Sequence, residues 1–222
     1  MTLFLDTGDI NEIKKYLDMG IIQGVTTNPT ILKKCGVKNV EKACKEIAEL
    51  ISPKPLSVEL TQNDNMTDMM REAKEKAEWA HNIVIKVPFH GPNGETENLK
   101  VIKQLSGDRI KVNATAMMSA QQCYLAALAG AKYVSLFCGR VNNMGYNSIE
   151  EIKKTRKLLD TFNLDSEIIC ASTREVLNVV EWLCAGAHIV TVLPNILEGM
   201  IWHPYTEKTV QMFLKDAKGS KK

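Results

Sequence analysis

The sequence is short of several features that would point away from small-molecule chemistry. Its formal net charge is only +2, so it carries no electrostatic footprint for a nucleic-acid backbone or an anionic membrane surface. No apolar run approaches the roughly 18 residues that a membrane helix needs. Six cysteines (Cys35, Cys44, Cys123, Cys138, Cys170 and Cys184) are scattered without C-x-x-C spacing. Several lie on apolar stripes, which favours buried free thiols over disulfides or a zinc site. No G-x-G-x-x-G follows any strand, so the dinucleotide fingerprint is missing. Met1 leads straight into Thr2-Leu3-Phe4-Leu5-Asp6, the pattern of a strand and not of a secretory leader. The expected compartment is the cytoplasm.

What is present is an ordinary globular composition, 45% hydrophobic and 24% charged over 222 residues, enough for one sizeable α/β domain or two small ones. Within it, Ile83-Val84-Ile85-Lys86-Val87-Pro88 stands out. From Ile83 to Val87 every residue but Lys86 is β-branched and apolar, as in a strand buried on both faces of a parallel sheet. Pro88 stops the strand, so Lys86 lies near its C-terminal end, where a (β/α)8 barrel collects its catalytic side chains. A lysine there is either an ion-paired structural group or an amine kept for attack on a carbonyl.

Further strands are expected at Leu3–Asp6, Gly24–Thr26, Leu56–Leu60, Arg109–Thr115, Tyr133–Phe137, Glu167–Ala171 and Ile189–Leu193. Helical stripes lie between them, such as Val40, Ala43, Cys44, Ile47, Ala48 and Ile51. Capping boxes are expected at Asp9/Glu12, Ser148/Glu151 and Ser172/Glu175, and loops at Thr27–Thr30 and after Gly139-Arg140. Ala-Gly-Ala recurs at Ala129–Ala131 and Ala185–Ala187, marking one helix-to-strand junction two βα units apart. Eight units of roughly 25 to 30 residues match a single-domain TIM barrel over residues 1–222. A doubly wound open sheet is the alternative. An extra amphipathic helix at about 203–217 carries Val210, Phe213 and Leu214, and 218–222 is expected to fray.

Polar residues gather at or just beyond the strand ends: Asp6, Asn28, Glu59, Lys86, Asn113, Thr115, Ser135, Arg140, Ser172 and Arg174. Singly, Asn28 would shape an Asn-Pro turn, Ser172 would cap a helix and Arg140 would be a solvated charge. Closing a barrel brings all of them to one rim. A lysine amine, carboxylates, amides, hydroxyls and arginines form a set suited to Schiff-base carbon–carbon chemistry on a phosphorylated sugar.

The segments Phe4-Leu5-Asp6-Thr7, Gly24-Val25-Thr26-Thr27-Asn28-Pro29, Ile85-Lys86-Val87-Pro88, Val112-Asn113-Ala114-Thr115, Tyr133-Val134-Ser135-Leu136-Phe137 and Ala171-Ser172-Thr173-Arg174 closely resemble the short transaldolase subfamily. That subfamily also holds the fructose-6-phosphate aldolases. Small departures stand at Met117-Met118 and Thr173. The resemblance implies a class I aldolase-like TIM barrel in which Lys86 forms the imine, Asp6 moves the proton, and Glu59 with Thr115 holds a catalytic water. It further implies that Asn28, Asn113 and Ser135 bind substrate hydroxyls, and that Arg140, Ser172 and Arg174 hold phosphate. Phe137 stands where the free-standing aldolases tend to have tyrosine, and Glu59 where they tend to have glutamine. The implied reaction is transaldolase transfer in the pentose phosphate pathway, without metal or cofactor, by a pentamer or decamer packed through the C-terminal helix. Outright cleavage of fructose 6-phosphate is the alternative, and a non-catalytic oligomeric barrel a remote one.

Overall fold

The computed structural model of the protein describes residues 2–219. The first half of the chain forms β1 (Thr2–Asp6), α1 (Ile10–Asp18), β2 (Val25–Thr26), α2 (Pro29–Lys34), α3 (Val40–Ile51), β3 (Leu56–Glu59), α4 (Met66–Ala77), β4 (Ile83–Pro88) and α5 (Asn98–Gly107). The second half forms β5 (Val112–Met117), α6 (Ala120–Leu128), β6 (Tyr133–Leu136), α7 (Cys138–Asn143), α8 (Ser148–Thr161), β7 (Glu167–Cys170), α9 (Val176–Cys184), β8 (Ile189–Val192), α10 (Pro194–Ile201) and α11 (Pro204–Gly219). The strands close in sequence order into one parallel barrel, β1 pairing with both β2 and β8. The expected TIM barrel with an extra C-terminal helix is what forms. None of the described helices is long and apolar enough to cross a membrane.

Alternation along the strands builds two surfaces. One set of side chains packs outward beneath the helices and makes the main core, with Leu5, Ile85, Val112, Val134, Ile168 and Val190 among its members. The other set points into the barrel, where Phe4, Val84, Tyr133, Ile169 and Ile189 form a separate apolar cluster. Phe4 and Tyr133 meet edge-on there, ring centroids 6.2 Å apart. Two residues further along the same strands stand Asp6, Lys86, Ser135, Ala171 and Thr191, and all five line one cavity. An apolar floor thus lies directly under a mostly polar layer.

Local chemistry sets the element ends. Asn39, Asn65 and Ser119 accept backbone N–H groups at the starts of α3, α4 and α6, each such cap being worth about 1 kcal/mol. The two Ala-Gly-Ala junctions behave alike: Ala129 and Ala185 end α6 and α9. Gly130 and Gly186 then turn at φ 96° and 110°, where a Cβ would be strained.

Several expectations are corrected. Strand β5 begins at Val112 and not at Arg109, because Arg109 turns at φ 62°. The Thr27–Thr30 turn is the entry to α2, with Asn28 as its cap. The segment after Gly139 is helical as far as Asn143 (α7), so the expected loop shrinks to residues 144–147. Of the three capping boxes none forms as expected. Asp9 caps α1, but its own N–H donates to Thr7 Oγ1 at 3.2 Å. Asn147, not Ser148, caps α8. Glu175 caps α9 in a box with Asn178, so Ser172 lies outside that helix. Pro194 both stops β8 and opens α10, a helix the sequence pattern did not suggest. The C-terminal helix runs to Gly219, past the expected start of fraying at Lys218, and the rest of that tail lies outside the described residues.

Candidate active site

Parallel register carries the polar groups to one rim. Glu59 pairs across with Lys86, Lys86 with Asn113, and Asp6 with Thr26. Lys86 is only 5% exposed. Its Nζ sits 3.0 Å from Glu59 Oε2 and donates to the Thr27 carbonyl at 2.8 Å. These contacts fix the amine in a buried position without covering its cavity side.

Asp6, Thr26, Asn28, Lys86, Thr115, Ser135, Phe137, Arg140, Ser172 and Arg174 all line the cavity that opens above the apolar floor. Burial pushes the Asp6 carboxyl above its usual 3.8, against the pull of the Lys86 charge and of a 2.6 Å hydrogen bond from Thr26 Oγ1, while the Glu59 charge adds to the rise. Such a carboxyl binds a proton more readily than a solvated one, which suits a proton acceptor that later returns it. Asn28 spends its Oδ1 on the N–H of Ile31 at 2.9 Å, leaving its two Nδ2 donors for the cavity.

Strand β5 bulges between Ala114 and Met117, with Ala116 at φ 61°. A bulge re-aims side chains, and Thr115 reaches the cavity beside this one. Its Oγ1 is buried with no hydrogen-bond partner in the protein. A buried hydroxyl of this kind calls for a polar guest.

Two anticipated residues stand slightly apart. Asn113 accepts from Ser135 Oγ at 2.7 Å and donates to Ser57 Oγ at 3.2 Å, so it braces Ser135 from below the cavity wall. Glu59 touches Lys86 but turns its remaining surface to a neighbouring pocket lined by Pro29, Leu32, Val37 and Val58. Missed by the sequence reading were Thr26 and Thr191, whose hydroxyls lie 2.5 Å apart on the cavity wall. The two-residue step from the floor residue Ile189 would have flagged Thr191.

The arginine arms come from two crossing segments. A Cβ on Gly139 would stand 1.7 Å from the Ser172 carbonyl oxygen and 3.2 Å from the Arg174 stem. Only glycine lets the start of α7 pass so close to the β7–α9 loop, where Ser172 itself adopts φ 65°. Arg71 and Arg156 each pair with an aspartate; among the described residues Arg109, Arg140 and Arg174 pair with no carboxylate, and of these Arg140 and Arg174 line the cavity. The guanidinium of Arg140 lies 5.3 Å over the Phe137 ring. The N–H groups of Arg174 and Glu175, just before α9, donate to Asn178 Oδ1 and so are not free for an anion. Two unpaired guanidinium groups remain as the anion-attracting feature.

A family model described as transaldolase/fructose-6-phosphate aldolase matches residues 3–221. The chain belongs to that family. A probable transaldolase of Lactiplantibacillus plantarum is 41% identical, over 98% of this chain and 97% of the relative. Another, of Clostridium kluyveri, is 41% identical over 97% of each chain. Among solved structures, the native KDPGal structure superposes with a TM-score of 0.60 at 15% identity, covering 86% of this chain and 82% of the other. That likeness concerns the barrel alone.

The cysteines take no part in the cavity. Cys44, Cys123, Cys138 and Cys170 are buried and all six thiols are free. Burial pushes the Cys44 thiol up to about 11 and raises Cys123 and Cys170 as well, leaving little thiolate for chemistry. Among the described residues no cluster of His, Cys, Asp and Glu is arranged to hold a metal ion.

Proposed function

We propose that this protein is a transaldolase. It moves a dihydroxyacetone unit from sedoheptulose 7-phosphate to glyceraldehyde 3-phosphate, giving erythrose 4-phosphate and fructose 6-phosphate in the pentose phosphate pathway. The observation that carries this reading is a buried lysine amine, held by Glu59 and the Thr27 carbonyl, that faces the same cavity as an aspartate whose carboxyl burial pushes above its usual range and two unpaired arginines.

Lys86 Nζ attacks the C2 carbonyl of the ketose phosphate and forms a carbinolamine, which loses water to give the imine. Glu59 and the unpartnered Thr115 hydroxyl hold the water that shuttles protons for this step. Asp6 then takes the C4 hydroxyl proton and the C3–C4 bond breaks. Its electrons move to the imine nitrogen, and the aldose phosphate leaves. The three-carbon enamine attacks the incoming aldehyde, Asp6 returns its proton to the new hydroxyl, and hydrolysis of the imine frees the product. Asn28 and the braced Asn113–Ser135 pair position the hydroxyls, while Arg140, Arg174 and Ser172 hold the phosphate.

The choice of transferase over lyase rests on Phe137, which lines the cavity. A phenyl ring neither donates a proton nor orders water, so the enamine survives until an acceptor arrives. The remote reading, a non-catalytic scaffold, leaves the intact Lys86, Asp6 and Glu59 without a purpose. The expected assembly is a pentamer or decamer. Its support is α11, which buries no residue in the single chain and exposes Val210, Met212, Phe213 and Leu214. We place the protein in the cytoplasm, where such sugar phosphates are metabolised.

The test is turnover of fructose 6-phosphate with and without erythrose 4-phosphate. Turnover should depend on the acceptor, and Phe137→Tyr should raise release of free dihydroxyacetone while lowering transfer. An unmutated protein that releases dihydroxyacetone as fast as it transfers it is an aldolase instead.

A further inference from the structure

The hydrogen bond that Thr26 gives Asp6 does not stand alone. Thr26 Oγ1 lies 2.6 Å from Asp6 Oδ1 and 2.5 Å from Thr191 Oγ1. A hydroxyl has one proton to give. When Asp6 is ionised, the Thr26 proton points to Asp6, so the proton between the threonines must come from Thr191. The chain runs across three neighbouring strands in the order β8, β2, β1, in a buried setting. Hydrogen bonds in such a chain polarise one another, so donation by Thr191 makes Thr26 a stronger donor to the carboxylate.

We propose that Thr191 is a positioning residue for Asp6, acting through the Thr26 hydroxyl. It fixes one carboxylate oxygen of Asp6 and favours the ionised form, leaving the second oxygen to receive the substrate proton. The proposal rests on the reading of Asp6 as proton acceptor. The charged groups around Asp6 are Lys86 from β4 and Glu59 from β3, with Arg140 and Arg174 on the same cavity wall. None of them touches the Thr191 hydroxyl, so its removal changes the carboxylate through Thr26.

Thr191→Val keeps the shape and removes the donor; Thr191→Ser keeps the donor and removes the methyl. Carbon-13 NMR reads the titration of the Asp6 carboxyl, assigned with Asp6→Asn, and kcat is followed against pH. In the valine variant the Asp6 midpoint should rise by about half a pH unit, the scale of one weakened hydrogen bond. Asp6 must be ionised to act, so the acid limb of kcat should move to higher pH with it, with KM little changed. Serine should restore both. Should the valine variant not fold, Thr191→Ala is read the same way. An unchanged Asp6 titration in the donor-less variant, or no rescue by serine, overturns the proposal. A shifted carboxyl titration beside an unmoved kcat limb and an active Asp6→Asn variant upholds the Thr191 link and removes Asp6 from the reaction.

Discussion

Two lysines in this protein are buried almost equally, Lys76 at 6% exposure and Lys86 at 5%. Each has a carboxylate and a backbone carbonyl. Lys76 sits 2.7 Å from Glu72 and donates to the Glu59 carbonyl at 2.7 Å. Lys86 sits 3.0 Å from the Glu59 carboxylate and donates to the Thr27 carbonyl at 2.8 Å. Burial and ion pairing are therefore shared, and neither marks a nucleophile. The difference is where the amines lie. Lys76 projects from α4 and closes a seam between that helix and the end of β3. Lys86 projects from inside the barrel toward a cavity that also holds Asp6 and the arginines. A reactive lysine is one whose free side meets substrate.

The largest expected effect separates the two directly. Lys86→Met should lower transfer by about 10⁴-fold or more, since covalent catalysis has no substitute amine, and borohydride with fructose 6-phosphate should no longer fix a three-carbon adduct. Lys76→Met should keep the adduct and most of the rate but lose about 3–5 kcal/mol of stability, as for a broken buried pair, read by urea unfolding. Burial pushes the Glu72 carboxyl up, but hydrogen bonds from Lys76, Thr61 and Gln62 outweigh it and hold it below 4.5. A depressed carboxyl stabilises the fold above its unfolded value and loses that contribution as pH falls through the folded one. The gap between wild type and Lys76→Met should therefore narrow below pH 4.5. An adduct on Lys76 would reverse the roles.

Glu59 serves both lysines, one through its side chain and one through its backbone. Glu59→Gln should accordingly slow imine formation by about 10²-fold, the lower range for a lost general acid–base group. In urea unfolding it should cost less stability than Lys76→Met, because the amide oxygen still accepts from Lys86 and the Asp6 carboxylate lies close to the same amine. Equal losses in both measurements would make Glu59 a structural partner of Lys86 only.

The smallest effect concerns what else faces the Lys86 cavity. Gly139→Ala forces a Cβ against the Ser172 carbonyl and should part the two arginine arms. KM for phosphorylated substrates should rise about tenfold, the scale of one charge-assisted hydrogen bond. Borohydride trapping of unphosphorylated dihydroxyacetone should stay as it was. A parallel loss with both would show that the glycine serves folding alone.

Much of this was readable in advance where a strand's own alternation carried the information. Phe4 before Asp6, Val84 before Lys86 and Tyr133 before Ser135 repeat one step from floor to site. Thr191 obeys the same step after Ile189 yet escaped notice, because threonine within Ile-Val-Thr-Val-Leu reads as β-branched filling. Errors gathered where distant segments decide local form. Ser172 fits a capping box in sequence, but its loop must cross Gly139 and so adopts φ 65°, which leaves capping to Glu175. The α7 segment has the composition of a loop and becomes helical where its start meets the residue just past β7, Gly139 N–H reaching the Ala171 carbonyl at 3.4 Å.

The apolar floor has a kinetic consequence. Phe4, Val84, Tyr133, Ile169 and Ile189 plug the barrel from below, so reactants come and go by one mouth. In the proposed reaction the departing aldose phosphate and the arriving one compete for the same arginines at that mouth. The first must vacate before the second docks, and the protein waits between them with three carbons bound to Lys86. In the proposed reaction ping-pong order thus follows from the shared arginines and the carbons held on Lys86, and the five side chains of the plug leave no second way in.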